Sequence, residues 1–161
     1  RDLGAQAHSI RGNDKAPVVV AGPLRGGKTT IECVTSQYLS SLLLAAPLAS
    51  QDTEIDVPLL HEPDYVQITL DWLDRQGILY KKDGMRRFRI AGGQRFHGFG
   101  ASVPADFSSA TFFLCAAALF ADEVTLQGLD FADSQPDKAV VEYLRAMGAD
   151  MSVSAASSAC A

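Results

Sequence analysis

The feature that most limits how this chain can fold is a self-similarity at a shift of 71 positions. Ala45-Ala46 fall on Ala116-Ala117, Leu48 on Leu119, Trp72 on Tyr143, Leu73 on Leu144 and Gly77 on Gly148, with no gap across the stretch. A fixed period means that one supersecondary unit is used more than once. This one is too long for a solenoid repeat of the usual kind and suits a βαβ-type unit with extra strands. Gly4-Ala5 resembles Gly148-Ala149 and would close an earlier copy, so about two copies follow the tail of a third. Both ends read as cut rather than natural. No Met opens the chain, and the small-residue run SVSAASSACA lacks a packing face, with its last eight or so residues expected to fray.

One copy can be read in order. PVVVAG (17–22) and TTIECV (29–34) are β-branched and strand-like. SQYLSSLLLAAPL (36–48) is helical until Pro47 ends or kinks it. TEIDV (53–57) is a strand, and YVQITLDWLDRQG (65–77) is a helix with Gly77 as its stop. ILYKK (78–82) and RRFRIAG (86–92) are strands about the turn KDGM. The next copy predicts a helix over 107–120, a strand over 123–126, a helix over 137–147 and a strand over 149–153. The first helix of each copy is almost uncharged on every face, which predicts a helix buried all round. The second is amphipathic, with Asp71, Asp74 and Arg75 in one copy and Glu142 and Arg145 in the other on the outer face. The expected class is therefore α/β, each unit placing one helix deep inside and laying strands over it.

Charge and cysteine content narrow the function. Lys and Arg total 14 against 19 Asp and Glu, a net charge of −5, the wrong balance for a nucleic-acid binder. No apolar run approaches the roughly 20 residues that span a bilayer, and no membrane partner is expected. Cys33, Cys115 and Cys160 are odd in number and far apart, which fits reduced thiols in a cytoplasmic protein. His8, His61 and His97 lack metal-ligand spacing. Arg86, Arg87 and Arg89 alternate with Phe88 and Ile90 as the solvated face of an edge strand.

GPLRGGKT (22–29) satisfies the phosphate-loop pattern G-x-x-x-x-G-K-[ST] after a β-rich run. A working phosphate loop opens directly into a helix. Here Lys28 is followed by Thr29, Thr30 and Ile31, which prefer a strand. The segment is read as a Gly-rich hairpin between two strands rather than a nucleotide site.

Thr35, Ser36 and Gln37 stand where a strand ends and an apolar helix begins. Helix starts expose free N–H groups and the positive end of the dipole, and hydroxyls there add donors suited to a phosphate. A plain N-cap would use the same residues. The segment VTSQYLSSLLLAAPLA (34–49) resembles the Ser-Ser-Gln segment of the 5-enolpyruvylshikimate-3-phosphate synthase family. GPLRGGKTTIECV, APLASQDTEI, EPDYVQITLDWLDRQGI, FRIAGGQRF, VPADFSSATFFLCAAAL and VTLQGLDFADSQPDKAVVEYLRAMGA resemble further pieces of it in order, covering all but about the last ten residues.

The resemblance implies an α/β fold of repeated βαβαββ units with buried helices and outer sheets, the inside-out barrel of enolpyruvyl transferases, here in part. Residues 1–103 would belong to the shikimate-phosphate-binding domain, and 104–161 to the first unit of the second half of the other domain. It implies transfer of a carboxyvinyl group from phosphoenolpyruvate to the 5-hydroxyl of shikimate 3-phosphate, in aromatic amino-acid biosynthesis. No metal or organic cofactor is implied, and the full-length enzyme would be a monomer. Thr35 and Ser36 would hold the 3-phosphate, Gln37 would lie between the two substrates, and Tyr65 would line the shikimate site. Glu62 stands where the family has a serine, so either a neighbouring cation offsets it or it points away. The family's Gln-Gly-Asp reads Gln135-Pro136-Asp137. Asp106 is a possible cleft residue by resemblance and an N-cap of helix 107–120 by position. The family's catalytic acid, base and phosphoenolpyruvate-clamping residues have no match here, so no catalytic residue is assigned and the chain alone is expected to be inactive. Two alternatives use the same fold: transfer of the same group to a UDP-sugar, and a non-catalytic module that binds a phosphorylated metabolite.

Overall fold

A computed structural model describes residues 2–120 and 123–154. The chain divides into two compact units, 1–98 and 99–161. The first carries a two-stranded antiparallel ribbon, β1 (Gln6–Ser9) with β2 (Val18–Ala21). It also carries a four-stranded mixed sheet in the order β3-β4-β6-β5. Those strands are β3 (Gly27–Thr30), β4 (Thr53–Asp56), β5 (Tyr80–Asp83) and β6 (Arg87–Ile90). β3 runs parallel to β4, and β6 is antiparallel to both β4 and β5. The crossover between the parallel pair is helix α1 (Ser36–Ala45), which Pro47 converts into a 3-10 turn over Ala46–Leu48. Helix α2 (Pro63–Arg75) follows β4 and ends at Gly77, whose φ of 67° only glycine adopts freely.

Alternation along β4 and β6 sorts the sheet into two faces. Ile55, Phe88 and Ile90 point inward and pack with Leu39 and Leu43 of α1 and Val66, Leu70 and Leu73 of α2. The outward row pairs Lys28 with Glu54 and Asp56, Arg89 with Glu54, and Arg87 with Asp56, at 2.7–3.1 Å. The turn before β4 is pinned from two sides. An ideal Cβ on Gly26 or on Gly92 would stand 2.3 Å from the Gln51 carbonyl oxygen.

The second unit contains α3 (Phe107–Phe120), a 3-10 turn (Pro136–Ala139) and α4 (Val140–Ala146). Phe107 meets Phe131 edge-on at 5.1 Å. Two expected strands are not formed: 123–126 and 149–153 carry no strand ladder among the described residues. The helix expected over 137–147 is divided, because Pro136 starts it as a 3-10 turn.

The expectation of helices buried on every side also fails. In α1 only Ser36, Leu39 and Leu43 are buried, while Tyr38 and Leu44 are about half exposed. In α3 only Phe107 and Ala110 are buried, and Phe112 is 78% exposed. Uniform hydropathy states what a helix would bury and not what covers it. The architecture seen is mixed α/β. Cys160 and the rest of the small-residue end (155–161) lie outside the described residues.

Candidate functional site

The first unit brings two helix starts together by one isolated parallel bridge between Cys33 and Leu60. Cys33 N–H donates to the Leu59 carbonyl at 2.8 Å, and His61 N–H to the Cys33 carbonyl at 2.9 Å. Cys33 is fully buried at this joint, and burial pushes its thiol pKa up, which leaves it protonated and inert. Three residues after Cys33, α1 begins; three residues after Leu60, α2 begins. The bridge therefore sets Thr35-Ser36-Gln37 beside Glu62 and the first turn of α2.

Thr35 is the N-cap of α1 in extended conformation, but its side chain makes no capping hydrogen bond. Ser36 is 7% exposed. Its N–H and its hydroxyl both donate to Oε2 of Glu62, at 3.4 and 3.2 Å. Gln37 is exposed on the same turn. Tyr65 is half-buried in the first turn of α2, with its N–H donating to the Glu62 carbonyl at 3.2 Å. Thr35, Ser36, Glu62 and Tyr65 thus belong to one pair of adjoining helix starts.

Glu62 corrects both arrangements expected of it. Its carboxylate turns onto Ser36 rather than away, and among the described residues no cation pairs with it. Its backbone is left-handed, φ 59° and ψ 54°. A residue with a Cβ enters that region at a cost of about 1–2 kcal/mol, and the following Pro63 disfavours the right-handed alternative. The only prior signal was the Glu-Pro pair at a helix start; the contact itself joins residues 26 apart.

The second unit shows the same construction differently filled. At the start of α3, Phe107 N–H donates to Oε1 of Gln135 at 2.8 Å, and Gln135 Nε2 donates to the Ala105 carbonyl at 3.1 Å. Asp106 caps the next two positions, accepting from Ser108 N–H at 3.1 Å and Ser109 N–H at 2.9 Å. The Ser109 hydroxyl and N–H, with Ser108 behind them, hold its carboxyl pKa below the usual value. Ser108 Oγ donates to Asp137 at 2.6 Å. The first N–H of α3 meets a neutral amide and the next ones the Asp106 carboxylate, whereas both donors of Ser36 at the start of α1 meet the single carboxylate of Glu62.

Lys28 lies within β3, paired to Glu54 at 2.8 Å and Asp56 at 3.1 Å on the sheet's outer face. No helix opens after it, so the phosphate-loop pattern is carried by a strand; the expected hairpin is not formed, because β2 pairs with β1 and β3 with β4 in a different sheet. Among the described residues no group of His, Cys, Asp and Glu is placed to hold a metal ion, and no helix is long and apolar enough to cross a membrane.

Comparison with known proteins adds the wider context. The family described as EPSP synthase (3-phosphoshikimate 1-carboxyvinyltransferase) matches residues 1–160. A 3-phosphoshikimate 1-carboxyvinyltransferase of Ruminiclostridium cellulolyticum is 49% identical over 150 residues, covering 93% of this chain and 36% of that protein. One of Acetivibrio thermocellus is 50% identical over 152 residues, covering 94% and 36%. The solved EPSP synthase of Acinetobacter baumannii superposes with a TM-score of 0.65 at 29% identity, over 94% of this chain and 33% of that one. The chain spans about 36% of the length of these curated relatives.

Proposed function

Because this chain belongs to the EPSP synthase (3-phosphoshikimate 1-carboxyvinyltransferase) family, we propose that it supplies the shikimate 3-phosphate side of a carboxyvinyl-transfer site. The observation that carries this reading is the pair of helix starts joined by the Cys33–Leu60 bridge. Thr35 and Ser36 offer two hydroxyls and the N–H groups of the first turn of α1 to the 3-phosphate, where charge-assisted hydrogen bonds are strongest. Gln37 lies on that turn toward the second substrate, phosphoenolpyruvate, and Tyr65 lines the ring of the first. The shikimate 5-hydroxyl then forms the new C–O bond at C2 of phosphoenolpyruvate, the C2–O bond to the phosphate breaks, and the hydroxyl proton leaves with inorganic phosphate.

In this reading residues 1–103 are part of the shikimate-phosphate-binding domain, and 104–161 open the second half of the other domain. The units are parts of the inside-out barrel of this family. Asp106 lies near the cleft. The whole enzyme is a cytoplasmic monomer that needs no metal or organic cofactor and binds neither nucleic acid nor membrane. Positioning from both sides of a cleft accounts for much of the rate in such a reaction. The chain alone is therefore expected to release phosphate from the two substrates only at background rate.

Calorimetric titration of the chain with shikimate 3-phosphate tests the site. Hydrogen bonds to a charged group contribute about 1.5–3 kcal/mol, so Ser36→Ala should weaken binding roughly tenfold or more. A Ser36→Ala variant that melts lower but binds shikimate 3-phosphate like the wild type would remove the phosphate from this position.

A further inference from the structure

We propose that Glu62 is an internal stand-in for the substrate phosphate: its carboxylate holds the phosphate's place at the start of α1, and shikimate 3-phosphate must displace it to bind. This rests on the phosphate site proposed above and adds a residue that sets the affinity of that site. Both donors of Ser36 go to one oxygen, Oε2, and Ser36 is 7% exposed, so little water can serve them. A phosphate using those donors would stand against a carboxylate of like charge. The two anions exclude each other.

The hold on Glu62 is suited to release. Its contacts, 3.2 and 3.4 Å, lie at or beyond the long end of the hydrogen-bond range. The residue is exposed, and among the described residues it makes no ion pair that a swing into solvent would break. The second unit provides the comparison. Glu62 precedes Pro63 at the start of its unit's second helix, and Gln135 precedes Pro136 in the same role. Each sends an oxygen back to the start of its unit's first helix. Gln135 is neutral, sits at 2.8 Å and is anchored a second time through Ala105, with Asp106 closing the neighbouring donors. Glu62 is charged, its carboxylate is tethered among the described residues only to Ser36, and Thr35 does not cap. One construction thus serves as a fixed cap in one unit and as a displaceable anion in the other.

Glu62→Gln is the informative variant, because Gln135 shows that an amide oxygen fits such a position while the charge is removed. The chain, Glu62→Gln, Glu62→Ser and Ser36→Ala are each titrated with shikimate 3-phosphate and with unphosphorylated shikimate. Circular dichroism checks that each is folded. Removing the competing charge should tighten shikimate 3-phosphate about tenfold, the ratio of one charge-assisted hydrogen bond, and leave shikimate unchanged. Inorganic phosphate should raise the melting temperature of Glu62→Gln more than that of the wild type. If Glu62→Gln binds shikimate 3-phosphate like the wild type or more weakly while Ser36→Ala still loses binding, the phosphate site stands and the role of Glu62 is refuted. If shikimate and shikimate 3-phosphate tighten equally, the substitution acts on the fold and the role is also refuted. If no variant binds, or Ser36→Ala changes nothing, the phosphate site itself falls, and the role of Glu62 with it. Should Glu62→Ser fail to fold, Glu62→Gln alone decides.

Discussion

Two adjacent glycines after β6 separate a steric requirement from a conformational one. Gly92 has an ordinary φ, but a Cβ there would lie 2.3 Å from the Gln51 carbonyl oxygen, 2.4 Å from its carbon and 2.9 Å from the Ala49 oxygen. Ordinary contact begins near 3.4 Å, so the backbone must move by about 1 Å, and none of the three obstacles is a flexible side chain. That shift acts on Gly92 N–H to Asp52 Oδ1 at 3.0 Å, Gly93 N–H to the Ala49 carbonyl at 2.6 Å, and Gln94 N–H to the Pro47 carbonyl at 2.8 Å. Overpacking costs about 1–3 kcal/mol, and each hydrogen bond lost costs about 0.5–1.5 kcal/mol. Gly92→Ala should therefore destabilise the first unit by about 3–4 kcal/mol. Gly93 has a φ of 69° with open space around its missing Cβ, so Gly93→Ala should cost only the left-handed penalty of about 1–2 kcal/mol. Urea unfolding followed by fluorescence reads this directly, since Trp72, the sole tryptophan, lies in α2 of the same unit. A Gly92→Ala midpoint equal to the wild type, or a larger loss for Gly93→Ala, would refute the close-approach reasoning.

Three further outcomes are expected. Glu54 and Asp56 have carboxyl pKa values held down, Glu54 chiefly by Lys28 and Asp56 by Arg87. Their contribution is therefore complete above the ordinary carboxylate range and lost as pH falls through the depressed values; Trp72-monitored melts from pH 7 to 2 should show it, less steeply in high salt. Asp106→Ala should loosen the start of α3 by about 1 kcal/mol, seen as faster amide exchange at Ser108 and Ser109. Lys28→Ala should leave calorimetric titrations with magnesium and ATP flat, as in the wild type, because Lys28 is a strand residue with two carboxylate partners.

The parts of the fold that the sequence disclosed were those decided locally. Pro47 ends α1 where its ring must, Gly77 stops α2, and the β-branched residues after Lys28 make a strand where a phosphate loop needs a helix. What it misjudged depends on partners. A strand is a pairing, and residues 123–126 and 149–153 find none among the described residues, however suitable their composition. Phe112, Phe113 and Leu119 make α3 look like a core helix, yet each is at least 60% exposed.

The site shows a subtler limit, one of register. At the constant shift of 71, Glu62 falls on Asp133, and nothing about that pair suggests a shared role. The helix starts correct the alignment. Pro63 corresponds to Pro136, a shift of 73, while Leu73 and Leu144 keep the shift of 71, so α2 has two more residues at its N-terminal end than its counterpart. The residue before each proline then becomes the equivalent one, and Glu62 meets Gln135. Proline holds this register for a physical reason: it lacks an N–H and has its φ fixed, so it suits the first helical turn and turns the residue before it out of the right-handed helix. That turn aims the preceding side chain back at the first helix of its own unit. The repeat therefore conserves a direction rather than a residue type, which leaves the chemistry at that place free to differ. A neutral amide there makes a cap, and a carboxylate makes a competitor for any anion that the first helix would bind.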